Sequence, residues 1–209
     1  MEKFLTIMDE SSAEITEKRS RFIANVAHVE TEEEAFGFIN GIKSKYWDAR
    51  HNVYAFSLSD GNICRYSDDN EPHGTAGKPV LDIIVGRGLK NVVVVVTRYF
   101  GGILLGTGGL VRAYSGAAAA AVDAAKLYEL RDCVSYGITC NYNQYDIIKN
   151  IADRFNAKIN PVFLTNIVMD VSIEQRFANE FVSSVTDALG GDVKLEERNK
   201  YLLFFEKIK

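Results

Sequence analysis

The sequence is poor in proline, poor in cysteine and without an excess of positive charge, and each shortage excludes a class of protein. Three prolines in 209 residues leave no Pro-rich linker and imply dense regular structure. Three cysteines, at positions 64, 133 and 140, form no CxxC pair and have no histidine at ligand spacing. That excludes a disulfide framework and a structural zinc site. Such an odd, sparse set fits a reducing compartment, so the thiols read as buried and the chain as cytoplasmic. If Cys133 and Cys140 share a strand, their odd separation sends them to opposite faces. Long apolar runs are missing too. Tyr99–Val111 and Cys133–Tyr145 carry no charge, but Gly or Asn interrupts both, and both fall short of the ~18 apolar residues of a membrane helix. Phe4–Met8 runs straight into Asp9-Glu10 and is too short for a secretory signal. No membrane partner is expected.

What is present is the composition of an ordinary globular protein: 47% apolar and 25% charged residues, with 24 basic against 28 acidic side chains and a formal charge of −4. A disordered chain is excluded. At roughly 100–200 residues per domain, the length allows one large domain or two small ones.

Periodicity divides the chain. Alternation over Ser12–Val29 predicts a hairpin turning near Lys18–Ser20. Thr31-Glu32-Glu33-Glu34 is a capping box opening a helix over about 32–46. Asn52–Ser59 and Ile63–Tyr66 read as strands about an Asp60-Gly61-Asn62 turn. A polar loop, Ser67–Thr75, precedes a short helix from about Lys78 to Val85. Val92–Val96 is a β-branched run without alternation, the mark of a strand buried on both faces. Leu110 to about Lys126 reads as a helix with an alanine-rich, close-packing interior. Beyond Leu130 the order is β-α-β-β-α-β, with strands at Cys133–Cys140, Lys158–Leu164, Ile167–Ile173 and Val193–Phe205 and helices at Gln144–Phe155 and Gln175–Leu189. That is the ferredoxin-like split unit. The expectation is an α+β protein of two domains, residues 1–130 and 131–209.

The candidate site is the segment Arg98-Tyr99-Phe100-Gly101-Gly102 followed by Gly106-Thr107-Gly108-Gly109. A buried strand delivers the chain into a glycine-rich loop, and the loop opens a helix. Uncovered amides at the positive end of a helix hold anions. Arg98, Arg112 and Lys78 offer charge-assisted hydrogen bonds beside them, and Tyr99 and Phe100 offer stacking platforms. The spacing matches neither GxGxxG nor a Walker A loop, and the same glycines serve equally as tight turns that let the helix pack closely.

A second constellation, Asp68-Asp69-Asn70-Glu71-Pro72-His73, offers carboxylates and an imidazole for a metal or an acid–base pair. It is equally an acidic turn-forming loop, and no metal or other cofactor is expected. His28 and His51 read as structural histidines, and Cys64, inside a strand, as inert core. Net charge does not signal nucleic acid, but residues 50–112 carry seven basic side chains (Arg50, Arg65, Lys78, Arg87, Lys90, Arg98, Arg112) against five acidic ones. That leaves room for a local basic patch.

The blocks Lys18–Ala24, His51–Phe56, Asp68–Pro79, Val95–Gly102 and Gly106–Tyr114 together resemble the YigZ/IMPACT family, in order over about residues 20–115. The last ~75 residues resemble the additional C-terminal domain of its bacterial members. Asn70 and His73 depart from the small residues usual there. The resemblance implies an N-terminal domain of ribosomal-protein type with a left-handed β-α-β crossover, like domain IV of elongation factor G, and a C-terminal domain like domain V. It also implies translational control, which the family's eukaryotic members exert with a further N-terminal domain by blocking activation of an amino-acid-sensing kinase. Three functions follow as expectations: a non-enzymatic protein binding RNA or the ribosome and regulating translation, an enzyme using the glycine-rich segment for a nucleotide or phosphometabolite, or a module docking a protein partner in translation.

Overall fold

The structure is a computed structural model describing residues 4–206, and the chain divides into two compact units meeting in sequence at Glu129 and Leu130.

In the first unit, β1 (Leu5–Ile7), β2 (Ser11–Glu17) and β3 (Ser20–His28) lead to helix α1 (Glu32–Lys45). Then come β4 (His51–Ser57), β5 (Cys64–Ser67), α2 (Gly77–Gly86), β6 (Val92–Tyr99) and α3 (Gly106–Ala124). Thr31 caps α1 through its hydroxyl, accepting from the Glu34 amide at 3.1 Å, while Glu34 accepts from the Glu30 amide at 2.7 Å. The main sheet has the order β2-β3-β6-β4-β5 with antiparallel neighbours throughout. The chain therefore passes from β3 through α1 to β4, a parallel strand on the other side of β6.

β6 shows why the valine run is continuous. Val92, Val94 and Val96 pack into a core with α2 and α3, while Val93 and Val95 pack into a second core with α1. Helices thus cover both faces of the sheet, and apolar residues are needed at consecutive positions. Ala113, Ala117, Ala118 and Ala121 of α3 belong to the first core. Their small side chains let the helix lie close on β2 and β3.

β7 (Leu127–Cys140) carries the chain past residue 130. Its first three residues pair with β1, a strand the sequence reading does not anticipate. In the second unit α4 (Tyr142–Arg154), β8 (Lys158–Phe163), β9 (Ile167–Glu174), α5 (Ala178–Ala188) and β10 (Lys194–Glu206) follow. The strand order is β10-β7-β9-β8. Val134, Tyr136, Ile138 and Cys140 of β7 face a core shared with α4 and α5. Cys133 lies outside that core, buried on the other face, as its odd separation from Cys140 requires. Cys64 corrects its expectation. It lies on the edge strand β5, which has a neighbour on one side only, and it is exposed.

Candidate functional site

β6 ends where the site begins. Antiparallel register sets Arg98 opposite His51 of β4 and Tyr99 opposite Arg21 of β3. Alternation then separates the two neighbours. The Tyr99 hydroxyl donates to Asp48 at 2.7 Å, and the Arg21 guanidinium lies 5.6 Å from its ring. Arg98 turns toward α3 and the acidic loop.

There Arg98 meets Glu71. Its Nη1 donates to Glu71 Oε1 at 2.6 Å, with both side chains almost wholly buried. The buried Tyr114 hydroxyl of α3 donates to the same oxygen at 2.8 Å, and His51 Nε2 lies 3.8 Å from it. His51 Nδ1 sits 2.7 Å from the Asp69 carbonyl oxygen. A carbonyl only accepts, so Nδ1 carries the proton. The Arg98 guanidinium is also placed 5.4 Å from the Phe22 ring and 5.5 Å from the Phe100 ring, while its Nε has no hydrogen-bond partner. Burial first, and the Glu71 carboxylate second, push the Tyr114 phenol far above the ordinary tyrosine range. It stays a hydrogen-bond donor.

The acidic loop is thus an internal fastening. Asp68 accepts from the amides of Gly74 (2.8 Å), Ala76 (3.1 Å) and Gly77 (2.8 Å), which serves the N-terminus of α2. Asp69 accepts from the Asn52 amide at 2.7 Å, and Glu71 turns inward. His73 turns outward with its side chain 95% exposed. The departures from family pattern are accommodated: Asn70 adopts φ +68, a conformation asparagine tolerates, and His73 meets no obstacle in solvent. Among the described residues no group of three or more His, Cys, Asp or Glu is gathered to hold a metal.

The glycine-rich segment also differs from its expectation. Gly106–Gly109 form the first turn of α3 and leave only residues 100–105 as loop. Gly101 is explained by contact, because a Cβ there would collide with the Arg19 carbonyl in the β2–β3 turn. Gly102 and Gly106 have φ +80 and +73, a region that favours glycine. A Cβ at Gly109 would press on Leu105. Gly108 alone has ordinary φ and open space around it, apart from Arg112 Nη1 at 3.7 Å. No side chain caps the N-terminus of α3.

These elements enclose a cavity of about 380 Å³. Its lining includes Arg50, His51, Glu71 and Arg98 together with Phe100 and Leu104 of the loop and Gly106 and Thr107 of α3. Of the three basic residues expected to converge, only Arg98 lines it. Lys78 is ion-paired with Asp82 one turn along α2, and Arg112 is exposed outside the lining. Arg98 is corrected in one respect: it is engaged with a buried carboxylate instead of standing free. Sequence reading missed Arg50 as a lining residue, because only the strand register reveals that it neighbours Arg98. It missed His51 for the same reason.

Around the cavity the same end of the sheet is basic and aromatic. Lys18 and Arg19 form the two-residue β2–β3 turn with φ +44 and +67. Trp47, 83% exposed, adjoins the Asp48 that holds Tyr99.

The Impact N-terminal domain model matches residues 18–122, the stretch that supplies every residue of this site. IMPACT family member YvyE of Bacillus subtilis is 32% identical over 99% of this chain and 95% of its own length. IMPACT family member YigZ of Escherichia coli is 35% identical over 85% of this chain and 89% of its own. A crystal structure of a hypothetical protein aligns at 32% identity, covering 95% of this chain and 98% of that one with a TM-score of 0.61. By model and by relatives alike, the chain is a member of the IMPACT family.

Proposed function

We propose that this protein is a non-enzymatic RNA- or ribosome-binding protein that acts in the regulation of translation. The observation that carries the reading is the β2–β3 turn. Lys18 and Arg19 both occupy positive φ, where Asn-Gly is the unstrained choice and a larger L-residue costs roughly 1–2 kcal/mol. The fold keeps two cations in strained backbone at the sheet end that also carries Arg50, Trp47 and Phe100. Among the described residues no ion-pair partner accompanies Lys18, Arg19 or Arg50. Cations beside exposed aromatic rings suit a single strand, whose phosphates meet the charges while bases stack. The translational role attributed to eukaryotic members supports the process.

The test is binding of the full chain to single-stranded RNA and to ribosomal particles at rising salt. For a single strand the slope of log affinity against log salt is about −0.7 per phosphate neutralised. Replacing Lys18→Asn, Arg19→Gly and Arg50→Ala together is expected to make the slope shallower by about 2. No binding to either at low salt would overturn the proposal.

A docking module for a protein partner is the second reading, favoured by Ile103 and Leu104 at the loop, the latter 83% exposed. A ribosomal association that survives nuclease digestion and is lost in Leu104→Ser favours it over RNA contact.

A further inference from the structure

Two hydrogen-bond acceptors on the cavity lining are left unused by the fold. Glu71 engages Arg98 and Tyr114 through Oε1 alone, and among the described residues its Oε2 has no hydrogen-bond partner. His51 directs its Nδ1 proton to the Asp69 carbonyl, so Nε2 of the neutral ring is an acceptor. At 3.8 Å from Glu71 Oε1 that nitrogen is beyond hydrogen-bond reach of it, and it has no other partner among the described residues. Glu71 is 4% and His51 10% exposed at the side chain, and both residues line the cavity. Arg98 Nε is also unpartnered but sealed within the protein; these two acceptors keep open surface. Acceptors so deeply set favour a ligand that brings donors to them.

We propose that the cavity receives a guanine base, carried by an RNA strand or by a free nucleotide. The inference deepens the RNA-binding reading and rests on it for the choice of a nucleobase among donor-bearing groups.

Charge narrows the ligand first. The lining holds the Arg50 and Arg98 guanidiniums and the Glu71 carboxylate. A cation would meet two like charges, and a simple anion would leave both acceptors unsatisfied. A neutral group that donates twice avoids both penalties. Hydrogen-bond pattern narrows it further. Guanine alone among the four bases carries two adjacent donors, N1–H and the 2-amino group, on its pairing edge. Adenine and cytosine set one donor beside acceptors there, and uracil has a single donor between two carbonyls. The O6 acceptor of guanine finds a donor in Arg50 on the same lining. At the rim Phe100 and Leu104 are exposed, and the Phe100 ring offers a face on which the base stacks. A volume of about 380 Å³ lies in the range of small-molecule sites.

The experiment is calorimetry on the full chain with six probes. Four are the 5′-monophosphates of guanosine, inosine, adenosine and uridine; two are RNA hexamers, one all uridine and one with a single internal guanosine. Inosine lacks the 2-amino donor, so one hydrogen bond is deleted on the ligand; Glu71→Gln would strand the Arg98 charge and confound binding with folding. Guanosine monophosphate is expected to bind roughly tenfold or more tighter than the adenosine and uridine forms, with inosine between them. The guanosine-bearing hexamer is expected to bind more tightly than the uridine hexamer by a similar factor. Phe100→Ala, at an exposed position, should weaken guanosine monophosphate about tenfold with an unchanged melting temperature. Guanine preference among the mononucleotides, without binding of either hexamer, upholds the cavity and counts against the RNA reading. Preference confined to the hexamers assigns the base to RNA. Hexamers bound equally, with no preference among the mononucleotides, overturn the cavity proposal and leave the RNA reading intact. Inosine bound as tightly as guanosine would also overturn it.

Discussion

Three side chains from three elements, Arg98 of β6, Tyr114 of α3 and His51 of β4, surround a single atom, Glu71 Oε1. Removing that carboxylate strands the Arg98 charge in the interior. Glu71→Gln is therefore expected to destabilise the protein by about 3–5 kcal/mol, read by denaturant unfolding. Tyr114→Phe removes one hydrogen bond to a charged group and leaves the ion pair, so its cost should be about 1.5–3 kcal/mol. Equal losses in the two variants would show that the ion pair is not the principal fastening. The cysteines make a second residue-scale prediction. Burial pushes the Cys133 and Cys140 thiols up from their usual range, whereas Cys64 is exposed. Native alkylation near neutral pH should modify one thiol per chain, at Cys64, and three after unfolding, as counted by mass spectrometry. At this scale the sequence was a partial guide. It singled out Arg98, Glu71 and the aromatics, but the pairing of Arg98 with Glu71 spans 27 residues and depends on strand order, which local pattern does not encode.

Elements were legible where burial imposes a period. The valines of β6, the alanines of α3 and the capping box of α1 each announce one environment along several consecutive residues, and the structure places them accordingly. The start of α3 was not. Gly106–Gly109 read as loop because glycine disfavours helix, yet Leu105 and Leu110 are buried in the core on either side and the turn between them closes as helix. Similarly, β7 begins at Leu127, earlier than its alternation shows, because pairing with β1 extends it. The β2–β3 turn carries the element-scale prediction. Lys18→Asn with Arg19→Gly relieves two positive-φ residues and should stabilise the protein by about 1 kcal/mol or more, while weakening RNA binding. Stability gained with affinity unchanged would remove the reason for keeping cations there. Gly108→Ala should likewise add up to about 1 kcal/mol.

At the scale of the whole molecule, the chain divides into two compact units at Glu129 and Leu130, and separate apolar cores lie in each. We propose that residues 1–130 and 131–209 act as separate domains. Glu71→Gln should then quicken amide exchange across β3, β4, β6 and α3 and leave α4, α5 and β9 unchanged. Faster exchange in both sets would make the chain a single cooperative body. Net charge belongs to this scale also, and it is a poor guide: a chain of formal charge −4 gathers cations at one sheet end because Glu14, Asp48 and Glu71 are engaged there by Arg21, Tyr99 and Arg98. The account is tested most directly by titrating a short single-stranded RNA into the ¹⁵N-labelled full chain. It predicts that the amides of Lys18 and Arg19 and the Arg50 side chain move first and furthest. Saturable binding that leaves those three signals in place would contradict it.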